Sequence, residues 1–211
     1  AMSRMLDTRV RYRKDIEAYV DIPILGEIPS KSKDDDRKIV VVDSKRDQIS
    51  EAFRILRSNI EYTRNLDKSA TTYLFLSLME GSGKTFLTSN LAASLGLVNK
   101  KVIILDLDLR KGTLTHNSTS NKMHGMSTYL SGKTDDIDSI IAHDIVAPGV
   151  DAIFSGSIPP NPAALLSSDR LAQVFAYLRE RYEYIIIDAV PAGIVADADI
   201  IKKYADVCVF L

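Results

Sequence analysis

The sequence SLMEGSGKT at residues 77–85 lies between a short apolar run and an apolar segment with helical spacing. Glycines between a strand and a helix let backbone N–H groups turn inward around phosphate oxygens, and the helix N-terminus favours negative charge. In this pattern Lys84 can reach the β and γ phosphates, and Thr85 can offer its hydroxyl to Mg²⁺. The stretch therefore predicts a phosphate-binding loop. Its predicted nucleotide contacts are Gly81, Ser82, Gly83, Lys84, Thr85 and Phe86.

Apolar segments on both sides of this loop predict an α/β fold. Strand candidates lie at 73–77, 101–106, 150–154, 184–188 and 206–211, and helical stretches at 47–64, 85–98, 169–181 and 197–204. Strands that are apolar on both faces and alternate with helices indicate a doubly wound, mainly parallel sheet with helices on both faces. We expect this domain to span residues 47–211, with residues 1–46 as a linker and lead-in.

Composition narrows the class of protein. With 211 residues, 45% of them hydrophobic, the chain can bury one core without disulfides, and its net charge of -1 gives no reason to expect nucleic acid as a partner. No apolar run approaches the roughly 20 residues that span a bilayer, so we expect a soluble domain. The single cysteine, Cys208, lies in a terminal apolar run and is expected to be a buried hydrophobe in a reducing cytosol.

Three aspartates stand at the ends of predicted strands. Asp106 and Asp108 follow the run from Val102, and Asp188 follows the run from Tyr184. Ligands of open α/β sheets bind at this edge, and alternation along a strand points Asp106 and Asp108 the same way. A lone strand-end aspartate more often caps a helix or forms a turn. Three beside a phosphate loop favour a metal–nucleotide site, with Thr85, Asp108 and Asp188 as the Mg²⁺ residues.

Together, the loop, the motif Leu105-Asp106-Leu107-Asp108-Leu109-Arg110 and Ile187-Asp188 resemble the bacterial tyrosine kinases of capsule and exopolysaccharide systems, which are P-loop NTPases of the deviant Walker type. Residues 125–132 and 155–166 also follow that family, as does Ala196-Asp197-Ala198. The resemblance implies a protein-tyrosine kinase that uses ATP and Mg²⁺ and releases ADP. Its catalytic residues would be Asp106, Lys84, Asp108 and Asp188. Asp106 would orient or deprotonate the acceptor hydroxyl.

The helix before the first strand carries a second family signature, Glu51-x-x-Arg54-x-x-Arg57. An apolar stripe through Phe53 and Leu56 leaves these charges exposed. Without the resemblance, a solvated helix with incidental ion pairs is the simpler interpretation. With it, the three residues join subunits into a homo-oligomeric ring.

The family also implies partners and a location. The expected partners are a membrane-spanning chain-length regulator, fused or separate, and a cognate phosphotyrosine phosphatase. Residues 25–29 resemble the junction with that regulator, so we expect a cytoplasmic domain at the inner face of the membrane. Its C-terminal end and tyrosine-rich tail are expected to be missing from this sequence.

Several positions depart from the expected patterns. Leu78 stands where the general loop pattern has glycine, Glu80 where the family usually has proline, and Ala189 where a hydroxyl residue is common. Two alternatives therefore remain: an ATP-switched positioning or partitioning ATPase, and a catalytically weak assembly module. Met79 favours the kinase, because partitioning ATPases carry a lysine at that position.

Overall fold

A six-stranded sheet forms the centre of the computed structural model, which describes residues 13–31, 35–41, 47–64, 66–112, 114–115, 124–191 and 197–211. The strands are β1 Thr71–Leu76, β2 Val102–Asp106, β3 Ala142–Ala147, β4 Val150–Ile153, β5 Tyr184–Asp188 and β6 Val207–Phe210. Their order is β3-β4-β2-β5-β1-β6, and every pairing is parallel except the antiparallel pair of β3 and β4. The order places β1, β5 and β2 side by side at the centre.

Helices cover both faces of the sheet. They are α1 Arg13–Glu17, α2 Gln48–Tyr62, α3 Lys84–Gly96, α4 Met126–Leu130, α5 Pro162–Leu166, α6 Asp169–Arg179 and α7 Asp197–Lys202, with a 3₁₀ turn at Asp138–Ile140. The side chain of Asp47 caps α2 by accepting a hydrogen bond from the backbone N–H of Ser50 at 2.9 Å. Of the helices in the described ranges, none is long and apolar enough to cross a bilayer.

Alternation along the central strands divides the core into two layers. Tyr73 and Phe75 of β1 pack with α2 and α3, whereas Leu74 packs on the other side with α4, α6 and α7. Ile104 of β2 belongs to the first layer, and Ile103 and Leu105 belong to the second. Side chains of a strand point alternately to its two faces, so this division follows from the strand itself. The predicted doubly wound, mainly parallel fold is confirmed.

The lead-in contributes to the first layer. Val40 and Val41 are buried, and the side-chain oxygen of Asn90 on α3 accepts a hydrogen bond from the N–H of Val40 at 2.7 Å. The Asn90 amide donates in turn to the carbonyl of Lys38 at 2.9 Å. Residues 38–41 are thus tied to α3. The boundary at residue 47 stays a prediction, and residues 1–12, 32–34 and 42–46 of the lead-in lie outside the described ranges.

Two elements differ from expectation at the edges of the sheet. Strand β3 was not predicted, because Ala142–Ala147 is polar in part and is distorted by a register shift, with Asp144 at a φ of 53°. At the opposite edge, β6 has a neighbour on one side in the described sheet, and the expectation that Cys208 is buried was wrong: its side chain is exposed. Apolar composition alone does not distinguish an edge strand from a central one.

Candidate active site

The phosphate loop joins β1 to α3 in the predicted position. Gly81 and Gly83 have φ angles of 72° and 94°, in the left-handed region that glycine adopts without strain. Gly83 caps α3 without a side-chain hydrogen bond, so no side chain competes for the first N–H groups of that helix. Gly81, Ser82 and Gly83 are all exposed. An exposed loop that presents backbone N–H groups at a helix N-terminus is suited to bind phosphate.

Lys84 is held back over this loop. Its side chain is buried, and its Nζ donates a hydrogen bond to Ser77 Oγ at 3.0 Å. The Ser77 hydroxyl donates to the carbonyl of Met79 at 3.0 Å, which links the end of β1 to the loop. The sequence motif includes Ser77 but did not identify it as a positioning residue. In this structure the Lys84 ammonium group is thus held by Ser77, at the start of the loop.

Thr85 contacts the end of β5 directly. Its Oγ1 donates a hydrogen bond to Asp188 Oδ2 at 2.5 Å. Burial raises the pKa of Asp188 to about 6, although the Thr85 bond and the charge of Lys84 act in the opposite direction. The structure thus brings together the hydroxyl and one of the carboxylates that the sequence assigned to Mg²⁺.

Asp106 lies beside this pair, fully buried, with its Cα in register with that of Asp188. Its Oδ2 accepts hydrogen bonds from the N–H and Oγ1 of Thr115 at 3.0 and 2.7 Å, and Thr115 Oγ1 lies 2.7 Å from Ser155 Oγ. Burial raises the pKa of Asp106 to about 7, and the charge of Asp188 adds to the shift. A carboxyl with such a pKa can accept a proton near neutral pH.

Asp108 begins the loop after β2. Its Oδ1 accepts hydrogen bonds from the N–H groups of Arg110 and Lys111 at 3.2 and 2.9 Å. Arg110 makes a bidentate ion pair with the buried carboxylate of Asp197 on α7, at 2.8 and 3.2 Å. Asp197 belongs to a stretch quoted for the family resemblance, whose first residue, Ala196, lies outside the described residues. These bonds fix the loop that carries Asp108.

The residues fit a magnesium ion held mainly by nucleotide and water. Among the described residues, no three His, Cys, Asp or Glu side chains converge to form a metal site by themselves. Mg²⁺ in nucleotide enzymes usually takes only one or two protein ligands and fills its octahedron with phosphate oxygens and water. Thr85 and Asp188 in direct contact, with Asp108 on the neighbouring loop, match that requirement.

Glu80 does not turn into the phosphate loop. Its carboxylate pairs with Lys111 at 2.6 Å, and both side chains are largely exposed. This ion pair bridges the phosphate loop and the loop after β2, and it offsets the negative charge that the sequence placed beside the phosphates. The departure at Glu80 therefore leaves the backbone of the loop available for binding.

Phe86 is a predicted nucleotide contact whose ring faces elsewhere. The ring packs edge to face on Phe53 of α2, with centroids 5.9 Å apart. Its backbone N–H in the first turn of α3 is the part of the residue that can meet a phosphate. A nucleotide contact of Phe86 stays a prediction, and it would involve the main chain rather than the ring.

Of the three charged residues of α2 that were expected to be exposed, Arg54 and Arg57 are half-buried. Glu51 is exposed and pairs with Arg54 at 2.8 Å within the helix. Arg57 is half-buried, contrary to expectation, because its guanidinium donates to the carbonyl of Ser94 on α3 at 2.7 Å. Arg57 thus contributes to packing of α2 on α3 within one subunit.

The two raised pKa values make the stability of the nucleotide-free protein depend on pH. Asp106 has a folded pKa of about 7 against an ordinary value of 3.8, so between these values the folded state binds more protons than the unfolded state. The free energy of unfolding therefore falls as pH rises from about 4 to about 7. In thermal denaturation without Mg²⁺ or nucleotide, Asp106→Asn is expected to raise Tm above the parent at pH 8 and much less at pH 5. An equal gain at both pH values would contradict the buried charge as its cause.

The chain resembles known proteins over most of its length. A family model described as AAA domain matches residues 75–206. Tyrosine-protein kinase Etk of Escherichia coli K12 is 32% identical over 96% of this chain, which spans about a quarter of the length of Etk (26%). The putative tyrosine-protein kinase CapB of Staphylococcus aureus is 31% identical over 86% of this chain and 78% of its own length. The solved kinase domain of E. coli ETK is 28% identical, with a TM-score of 0.85, over 95% of this chain and 80% of that domain.

Proposed function

The chain belongs to the family of bacterial tyrosine kinases, and from that premise we propose that it is an ATP- and Mg²⁺-dependent protein-tyrosine kinase. The observation that carries the proposal is the position of Asp106. This buried carboxyl, with a pKa of about 7, is in register with Asp188, which is bonded to Thr85 of the phosphate loop. A proton acceptor thus stands beside the place where the terminal phosphate would lie.

In the proposed reaction the chain positions the reactants and compensates their charge. The N–H groups of Gly83, Lys84 and Thr85 hold the phosphates, and the ammonium of Lys84 leaves Ser77 to reach the β and γ oxygens. Asp106 orients the tyrosine hydroxyl and accepts its proton as the hydroxyl oxygen attacks phosphorus. Thr115 keeps the Asp106 carboxylate in place throughout.

Magnesium would neutralise charge on the phosphates and orient them for in-line transfer. Thr85, Asp108 and Asp188 are the residues that would hold it, directly or through water. Arg110 stabilises this arrangement, because its ion pair with Asp197 connects the Asp108 loop to α7.

Assembly and location are a further part of the proposal. Glu51 and Arg54, paired on the outer face of α2, would contact a neighbouring subunit in a homo-oligomeric ring, with Arg57 at the margin of the contact. Kinase activity between subunits would regulate capsule or exopolysaccharide polymerisation and export. The domain would act at the inner face of the membrane with a chain-length regulator, and a phosphotyrosine phosphatase would reverse the modification.

Phosphotyrosine formation tests the proposal directly. The protein is incubated with Mg²⁺, ATP and a random Glu/Tyr copolymer, and phosphotyrosine on the copolymer is measured beside a Lys84→Met variant. We expect label with the parent and its loss with the variant, because Lys84 is the cation placed over the loop. A parent that hydrolyses ATP and never labels tyrosine would refute the kinase and support an ATP-driven positioning switch or assembly module.

A further inference from the structure

The tyrosines of the chain differ widely in how their hydroxyls are held. The sequence has nine, of which Tyr12 lies outside the described residues. Tyr73, Tyr129 and Tyr184 are buried. Three others are half-buried and engaged: Tyr177 bonds Asp138, Tyr182 bonds Asp151, and Tyr204 stacks on Phe175. Two remain, Tyr19 and Tyr62, and each is 88% exposed.

The candidate active site sets a steric condition on any acceptor. Asp106 is fully buried, and Lys84 and Asp188 are buried beside it. An acceptor oxygen has to come within hydrogen-bond reach of Asp106, about 3 Å, while it faces the terminal phosphate. A tyrosine whose backbone is fixed in its own domain surface cannot enter such a recess. The acceptor therefore has to belong to a segment that can leave the surface.

Tyr62 fails this condition. It is the last residue of α2, and Ile60, two residues earlier, is fully buried. On its other side, Thr63 Oγ1 donates to the Ile60 carbonyl at 2.7 Å, and Arg64 pairs with Glu183 at 3.2 Å. Presenting Tyr62 would require the end of α2 to unfold and its core contact to be lost.

Tyr19 meets the condition. It follows α1, a five-residue helix that buries none of its residues, and residues 16–23 are exposed. Among the described residues, the backbone N–H groups of residues 18–20 bond only to the carbonyls of residues 14 and 16, in the preceding turn. A helix this short is marginal in water, so it can open at little cost.

The segment with Tyr19 is tethered to the domain at a defined point. Asn59 Nδ2 of α2 donates a hydrogen bond to the carbonyl of Leu25 at 2.7 Å. Leu25 lies six positions after Tyr19, and an extended chain over that distance reaches about 20 Å. Tyr19 can thus be presented at a distance from the domain surface without breaking the Leu25 contact.

Because Tyr19 lies on a segment that can leave the domain surface and Tyr62 does not, we propose that Tyr19 is a phosphorylation site of this chain. It would be an acceptor within the lead-in that a second copy of the domain modifies. The inference rests on the proposed kinase function and names its acceptor. In the transfer, Tyr19 Oη forms a bond to the γ phosphorus of ATP and the bond from that phosphorus to the β–γ bridging oxygen breaks. ADP leaves, and the tyrosine proton passes to Asp106. Acidic residues at 17 and 21 flank the acceptor.

Site mapping with matched variants tests the proposal. The parent, Tyr19→Phe and Tyr62→Phe are incubated with Mg²⁺ and ATP, and phosphotyrosine is located by peptide mass spectrometry. The same preparations are assayed on the Glu/Tyr copolymer. We expect phosphate on residue 19 in the parent and in Tyr62→Phe, its loss in Tyr19→Phe, and equal labelling of the copolymer by all three.

The possible outcomes distinguish an error in the assignment of Tyr19 from an error in the proposed kinase function. Copolymer labelling with phosphate only on other tyrosines, or with undiminished self-labelling of Tyr19→Phe, overturns the assignment of Tyr19 and leaves the kinase function intact. Failure of the parent to label the copolymer overturns the kinase function, and the assignment of Tyr19 with it. A Lys84→Met chain that becomes labelled at residue 19 when mixed with active Tyr19→Phe supports transfer between copies.

Discussion

Replacing Asp106 with asparagine is expected to lower the rate of phosphotyrosine formation by about 10²–10⁴-fold, the usual contribution of a positioned general base. Nucleotide affinity should change little, because the phosphate-binding groups belong to the loop between β1 and α3. The amide can still accept the hydrogen bonds from Thr115 that now reach Asp106 Oδ2, but it cannot accept a proton. Steady-state labelling of the copolymer gives kcat, and titration with a non-hydrolysable ATP analogue gives Kd.

A matched aspartate elsewhere in the sheet serves as the control. Asp151 of β4 accepts hydrogen bonds from Tyr182 and the backbone of Asp144, away from the phosphate loop. Asp151→Asn should leave kcat within about twofold of the parent, as expected for a residue that contacts neither reactant. Full activity in Asp106→Asn would remove Asp106 from the mechanism. Equal losses of nucleotide affinity and of kcat would instead assign Asp106 to nucleotide binding.

The same variant connects stability with function. Asp106→Asn removes the buried charge, so the nucleotide-free variant should be more stable at pH 8 than the parent, even though its kinase activity is expected to be much lower. A buried carboxyl that destabilises the fold above neutral pH and lies at the centre of a candidate site is typical of a group with a chemical role.

Local sequence was sufficient for the parts of the site that follow one another along the chain. The phosphate loop, the strand-end aspartates and the two-layer packing depend on spacing within short segments, and each lies where the pattern predicted it. The end of the apolar run also placed Asp106 correctly at the sheet edge, but β2 ends at Asp106, so alternation along the strand does not fix the direction of Asp108. Periodicity and turn chemistry are local properties, and for that reason a single sequence carries them.

The parts that sequence analysis missed depend on contacts between distant segments. Thr115 and Ser155 are separated by 40 residues, and nothing in the sequence around Thr115 indicates that it bonds Asp106. Likewise Arg57 meets Ser94 across 37 residues, which changes an expected exposed charge into a packing contact. The pairing of Glu80 with Lys111 also required the fold, because a charge in a loop can face either inward or outward.

The second large effect, on both stability and kcat, is expected from Gly125→Ala. Gly125 is the first residue of the stretch 125–132, which resembles the middle region of the family. A Cβ at Gly125 would lie 2.4 Å from the carbonyl oxygen of Phe154 and 2.7 Å from the N–H nitrogen of Gly156. Both are backbone atoms, and the N–H of Met126 bonds the same Phe154 carbonyl at 2.8 Å. The segments around residues 125 and 155 therefore have to move apart. Overpacking of this kind costs about 1–3 kcal/mol, which should lower Tm by several degrees.

The displacement should also reach the catalytic carboxyl. Ser155 lies between Phe154 and Gly156, the two residues that the new Cβ would meet. Its N–H and Oγ both contact Thr115 Oγ1, at 2.9 and 2.7 Å. Because Thr115 holds Asp106, a shift of about 1 Å there should lower kcat by about 10²-fold. Gly26→Ala is the matched control, since its Cβ would meet Leu56 at an ordinary 3.6 Å. If Gly125→Ala lowers Tm but leaves kcat at the level of Gly26→Ala, the chain of contacts from Ser155 to Asp106 does not control the reaction.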